Sequence, residues 1–158
     1  MTVSPPAPLL RLAHHFQSMP PVAALGLHVD GCDGRTLRLS APLALHVNDK
    51  GCAFGGSLAS LMTLAGWGLL TLRLEDAGFD AEVYVAESQT RYRAPLYDDL
   101  RVEAALVDEA AWPGFVDTLR ARGRARIEIA ARALCADGTL ATESIARFAA
   151  LRRTPAAE

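Results

Sequence analysis

The chain has 158 residues, 51% of them hydrophobic, which suits one domain over residues 1–158 and is cramped for two. A formal charge of −2 gives no global attraction to nucleic acid. The three scattered cysteines, Cys32, Cys52 and Cys135, suit reduced thiols rather than a disulfide framework or a zinc site.

The opening run MTVSPPAPLLRLAHHF has no basic segment ahead of a long apolar core, so a signal peptide is not expected and the protein is read as cytoplasmic. Residues 1–8, with Pro5, Pro6 and Pro8, read as an extended arm, because consecutive prolines oppose helix. Leu9, Leu12, Ala13, Phe16 and Met19 then recur at helical spacing, and Pro20-Pro21 ends that helix. His14 and His15 fall on its wet side, as surface residues without a third ligand. Residues 25–32 and 35–41 flank Asp33-Gly34, a hairpin signal, and Leu37, Leu39 and Ala41 alternate with polar residues so that one strand face looks inward.

The stretch from His46 to Leu72 dominates the chain. Its first half, NDKGCAFGG, is polar and glycine-rich and reads as a loop that brings backbone close to whatever lies beside it. From Ser57 to about Glu75 there is no proline and alanine and leucine prevail, so a helix buried on nearly every side follows. The apolar run is shorter than the roughly 20 residues a bilayer requires and ends in Arg73, Glu75 and Asp76, which argues for a core helix and no membrane contact. Gly78 is the expected cap.

Strand patterns follow at residues 82–93, 100–107, 124–135 and 139–151, with a short helix from Trp112-Pro113 to Arg122 between the second and third. Residues 152–158 read as a frayed tail. A helix greasy all round and strands greasy on one face are satisfied together by an antiparallel sheet wrapped around that helix. A loop feeding the N-terminus of a buried helix also presents free N–H groups and a positive dipole end, which can polarise a carbonyl.

The pattern Asn48-x-x-Gly51-x-x-Phe54-Gly55-Gly56, followed by a buried helix, resembles the hotdog-fold thioesterases. The longer run NDKGCAFGGSLASLMTLAGWGL is similar to the YiiD C-terminal type of thioesterase domain, found after an acetyltransferase domain in some bacterial proteins. The resemblance implies an α+β hotdog fold, hydrolysis of an acyl-CoA or acyl-carrier-protein thioester, and a homodimer or dimer of dimers with sites at the subunit boundary. No metal or redox cofactor is implied.

For that chemistry the backbone N–H groups of Gly55 and Gly56 are the expected oxyanion donors, one such donor being worth about 3 to 4 kcal/mol. The alternative use of these glycines is to let the loop turn beneath the sheet. Through the resemblance Asn48 places water or the thioester; Asp49 is the candidate base, or else a turn-former or surface ion pair. Many hotdog thioesterases carry His-Gly-Gly where this chain has Phe54-Gly55-Gly56, and an acid two turns into the helix where it has Thr63, so the base is displaced or lost. That departure keeps a second reading open, a non-catalytic acyl-thioester binding module. A hotdog dehydratase fits less well, since it needs a histidine together with a helix carboxylate. Phe54, Ser57, Ser60 and Thr63 are the expected substrate contacts, the three hydroxyls lining a water chain or bonding back to their own helix. Arg124 and Arg126, in a run with Arg120 and Arg122, suit the phosphates of coenzyme A or an acidic carrier protein, or else form a solvated strand edge. Gln89, Arg91 and Arg93 form a lesser group of the same kind. Cys52, with His46 as its base, offers a covalent alternative to its use as apolar filler. Leu64, Trp67 and Tyr92 line an acyl tunnel or simply fill the core.

Overall fold

The structure is a computed structural model that describes residues 6–154. Its elements are α1 (Ala7–Ser18), α2 (Pro20–Ala23), β1 (His28–Cys32), β2 (Thr36–Ala41), α3 (Gly55–Asp76), β3 (Ala81–Tyr92), β4 (Leu100–Leu106), α4 (Trp112–Arg122), β5 (Arg124–Leu134) and β6 (Leu140–Arg152). Single turns of 3-10 helix occupy Leu43–Leu45 and Glu109–Ala111.

The six strands form one antiparallel sheet in the order β1-β2-β4-β5-β6-β3, curled around α3. This is the α+β hotdog arrangement. Alternation in the strands sets the inner face: Leu37 and Leu39, Val102 and Ala104, Ile127 and Ile129, and Ala146 and Phe148 are all buried. Between Ser57 and Leu74 only Ser60 of α3 is exposed. The helix approaches the sheet closely enough that a methyl group at Gly66 would lie 2.7 Å from the buried Phe148 ring, so this position admits no side chain without repacking.

Several expectations are corrected. Ala7 and Pro8 belong to the first turn of α1 rather than to an extended arm, because a proline there gives up an N–H that would have no helical partner; residues 1–5 lie outside the described residues. Pro20 and Pro21 open the short α2 after a break at Met19 for the same reason. The central helix has 22 residues, beginning at Gly55 rather than Ser57, and is long and apolar enough to cross a membrane by length and composition. Its length therefore does not mark it as a core helix; its burial by the sheet does. In the tail, Arg152 completes β6, its N–H donating to the Gly123 carbonyl, and the Arg153 N–H donates to the Asp80 carbonyl. Residues 155–158 of that expected tail lie outside the described residues.

Sheet register also orients the two ends of the molecule. Gly55 meets Tyr92, while the Trp67 indole N–H donates to the Val83 carbonyl at 2.9 Å, so α3 runs antiparallel to β3. β3 is bonded to β6 on one side only, leaving a 12-residue edge with Tyr84, Val85 and Tyr92 exposed.

Candidate active site at the tip of the central helix

The loop that delivers the chain to α3 is a small closed hairpin. Val47 bridges Ala53, the Asn48 N–H donates to the Cys52 carbonyl, and Gly51 turns the chain at φ +77°. Asn48 Oδ1 accepts the backbone N–H groups of Lys50 at 2.8 Å and Cys52 at 3.2 Å, and its amide nitrogen lies 3.3 Å from Cys52 Sγ. Its side chain thus builds the loop. Asp49 sits at the loop tip with 79% of its side chain exposed and is ion-paired to Lys50 Nζ at 2.9 Å. Of the three uses open to Asp49 in the sequence, base, turn-former and surface ion pair, the structure shows the last two, since Asp49 also lies in the turn closed by the Gly51 N–H on the Asn48 carbonyl.

At Phe54 the backbone turns into the helix, its N–H donating to the His46 carbonyl and its carbonyl accepting from Ser57 and Leu58. Phe54 supplies no side-chain cap. Among the described residues the N–H groups of Gly55 and Gly56 find no protein acceptor, as befits the first two donors of an uncapped helix. Each glycine lies beside an aromatic ring. A methyl at Gly55 would be 3.2 Å from Tyr92, whose hydroxyl donates to the Gly55 carbonyl at 2.9 Å; one at Gly56 would be 2.5 Å from the Phe54 ring. Both rings are 57% exposed and Gly56 is exposed with them, so in a single chain the amides open onto the surface between two apolar walls.

Beneath this tip is a pair that the spacing of the sequence did not suggest. His46 Nδ1 is 2.8 Å from Ser57 Oγ, and His46 Nε2 is 2.7 Å from the Leu25 carbonyl oxygen. Both side chains are more than nine-tenths buried. His46 is therefore committed to Ser57 and is not the base of Cys52, which contacts Asn48 instead. Eleven residues separate His46 from Ser57 and 21 separate it from Leu25, so only the folding of the loop under the helix brings the three together. Ser60 Oγ donates back to the Gly56 carbonyl at 2.8 Å, so the stripe Ser57, Ser60, Thr63 is not a row of free hydroxyls. Thr63 is half-buried one turn farther on. On the sheet, Thr142 is fully buried with its hydroxyl unpartnered among the described residues, in register with Tyr92 on β3 and Ala133 on β5.

The remaining candidates lie elsewhere. Register pairs Tyr92, Thr142 and Ala133 at one end of the sheet and Glu82, Leu151 and Arg124 at the other. Nine residues at about 3.3 Å each put Arg124 roughly 30 Å from the Gly55 end within one chain. Arg124 and Arg126 are exposed on the outer face, while Ala125 and Ile127 point inward. Arg93 is paired with Glu143, and Gln89 and Arg91 face outward from β3. Trp67 is twelve residues along α3 from Gly55, about 18 Å at helical rise, and stacks on His15 with ring centroids 5.2 Å apart. It packs α1 against the helix rather than lining a channel at the tip. Among the described residues no three His, Cys, Asp or Glu side chains gather around a common point.

The family described as "Putative thioesterase (yiiD_Cterm)" matches residues 10–152. Among solved structures, a protein of unknown function from Chlorobaculum tepidum is 29% identical with a TM-score of 0.85, over 91% of this chain and 94% of that one. A "putative thioesterase" from Shewanella oneidensis is 26% identical with a TM-score of 0.80, over 91% of this chain and 97% of its own. A Pseudomonas aeruginosa protein described as a "Probable Thioesterase" is 25% identical with a TM-score of 0.80, over 94% and 99%.

Proposed function

The chain belongs to the "Putative thioesterase (yiiD_Cterm)" family, and from that premise we propose that it hydrolyses an acyl thioester, carried by coenzyme A or an acyl carrier protein, at the Gly55–Gly56 tip of α3. The observation that carries this reading is the pair of unpartnered amides at the positive end of a 22-residue buried helix, flanked by the apolar rings of Phe54 and Tyr92. The thioester oxygen accepts from the two amides, and charge that develops on it is stabilised without reorganisation of the backbone. The rings give the first carbons of the acyl chain apolar surface to cover.

The working unit is a homodimer. A 12-residue free edge on β3 is a template for a second strand. Antiparallel pairing about residues 86–87 sets Arg91, which has no acidic partner among the described residues, against Glu82 of the other copy. The same pairing carries the Gly55–Gly56 tip of one copy toward the other copy's groove of about 460 Å³, lined by Trp67, Thr71, Val83 and Tyr84. An open site in one chain becomes walled in two.

A second reading, an acyl-thioester binding module without turnover, draws on two observations: Asp49 is engaged by Lys50, and Thr63 stands where the resemblance to hotdog thioesterases leads one to expect an acid. Thiol release from a panel of acyl-CoAs and acyl carrier proteins decides between them. Hydrolysis predicts steady release from at least one member. Absence of release across the panel, with tight binding of a non-hydrolysable acyl-CoA thioether, overturns hydrolysis in favour of binding.

A further inference from the structure

We propose that Ser57 is a nucleophile and His46 its general base, so that the reaction passes through an acyl ester on Ser57. This deepens the thioesterase reading above and rests on it. The Leu25 carbonyl can only accept, so the 2.7 Å contact puts the hydrogen of a neutral imidazole on Nε2. Nδ1 then carries the lone pair, and at 2.8 Å the Ser57 hydroxyl donates to it. That is the tautomer and the geometry an activated serine requires: nucleophile on base, base held by a third group on its other nitrogen. Here a backbone carbonyl takes the place of a carboxylate, and no carboxylate of the described residues is ion-paired with the ring.

Ser57 is the third residue of α3, directly after the two glycines with free amides. Nucleophile and oxyanion donors thus occupy one helical turn, the base lies in the loop beneath it, and the orienting carbonyl comes from the connection between α2 and β1. Ser57 is 9% exposed and adjoins in sequence the two residues whose amides are free. A buried histidine that merely braced the loop would need the same two hydrogen bonds but no open donors beside its partner. The pair also supplies what the sequence lacks at Thr63, a group able to take a proton.

The steps balance. Ser57 Oγ bonds to the thioester carbon as its proton passes to His46 Nδ1, and the carbonyl oxygen carries negative charge toward the amides. The carbonyl re-forms, the C–S bond breaks, and the thiolate takes the proton from Nδ1. Water then attacks the ester, gives its proton to Nδ1, and Ser57 leaves with that proton as a hydroxyl, so that thioester and water become acid and thiol.

The test uses the full chain with octanoyl-CoA and acetyl-CoA as probes. Ser57→Ala, checked for folding by its thermal midpoint, is expected to lose turnover about 10³-fold or more, as removal of a triad member does. Acid-quenched wild type is expected to carry the acyl mass on the Ser57 peptide, and Ser57→Cys to carry it as a thioester. A folded Ser57→Ala that hydrolyses within a few-fold of wild type overturns the dyad and leaves the thioesterase reading standing. If Ser57→Ala does not fold, methanol added to wild-type turnover decides. One ratio of methyl ester to acid for every leaving thiol supports the covalent route, and a ratio that changes with the thiol overturns it. Absence of both turnover and adduct in wild type across acyl-CoAs and acyl carrier proteins removes the dyad and the hydrolytic reading together.

Discussion

The two ends of α3 are finished in opposite ways. At the C-terminal end the first three donors that follow the helix are used: Ala77, Gly78 and Phe79 donate to the carbonyls of Arg73, Glu75 and Leu74 at 2.9–3.0 Å, around Gly78 at φ +80°. This is the capping arrangement in which a left-handed residue closes the last turn. Arg73 adds an ion pair to Glu109 at 2.7 Å and lies 4.2 Å over the Trp112 ring. At the N-terminal end no side chain caps the helix, and the Gly55 and Gly56 amides remain free beside two exposed rings. Water satisfies donors at an exposed tip, so leaving them open costs little, and in the proposed function an acyl group takes the place of that water. One end is built for stability and the other is kept available.

Removing an amide without disturbing the helix tests that contrast most strongly. Gly55 is the first helical residue, a position proline tolerates, and Phe54 before it is already extended at φ −63° and ψ 130°. With the exposed Tyr92 ring moving aside for the new side chain, Gly55→Pro is expected to lower kcat/KM by about 10²–10³, the effect of one oxyanion donor, while the thermal midpoint stays near wild type. A large loss of stability, or unchanged kcat/KM, would break the assignment of this end to function. Gly78→Ala should do the reverse, costing about 1–2 kcal/mol in chemical denaturation because φ is positive there, with kcat/KM unchanged.

The smallest effect concerns turns remote from both ends. Backbone N–H groups of Arg35 and Thr36, helped by Arg38, hold the Asp33 carboxyl below the usual carboxylate range, and Thr139 does the same for Asp137. A depressed carboxyl contributes stability above its unfolded value and loses it as pH falls through the folded one. The stability gap between wild type and Asp33→Ala/Asp137→Ala is therefore expected to close between about pH 5 and pH 2 in thermal scans. A gap that stays constant would mean that the turns do not depend on these charges.

Much of the fold was legible because its signals are local. Asp33-Gly34 and Asp137-Gly138 both fall between paired strands, in connections longer than the two-residue hairpin that the pairing predicts because neither Asp takes positive φ; Gly123 ends α4 at φ +71°, and the alternation of Ile127, Ile129 and Ala131 fixes the inner face of β5. The candidate site was legible only in part. The glycine amides follow from a loop entering a buried helix, and the structure leaves them free. Sequence proximity, by contrast, sets His46 against Cys52, six residues away, whereas its partners are Ser57 and the Leu25 carbonyl. Charge alone offers Arg124 and Arg126 either to substrate phosphates or to a solvated strand face, and register sends them to the exposed outer face at the far end of the sheet.

Local chemistry settles which residues turn, which alternate and which helix must be buried, since each of those signals acts over a few bonds. The partner of a buried imidazole, the distance from an arginine to an amide and the strand edge left open depend on register and loop closure across the whole chain. Those were decided only when the sheet closed around α3.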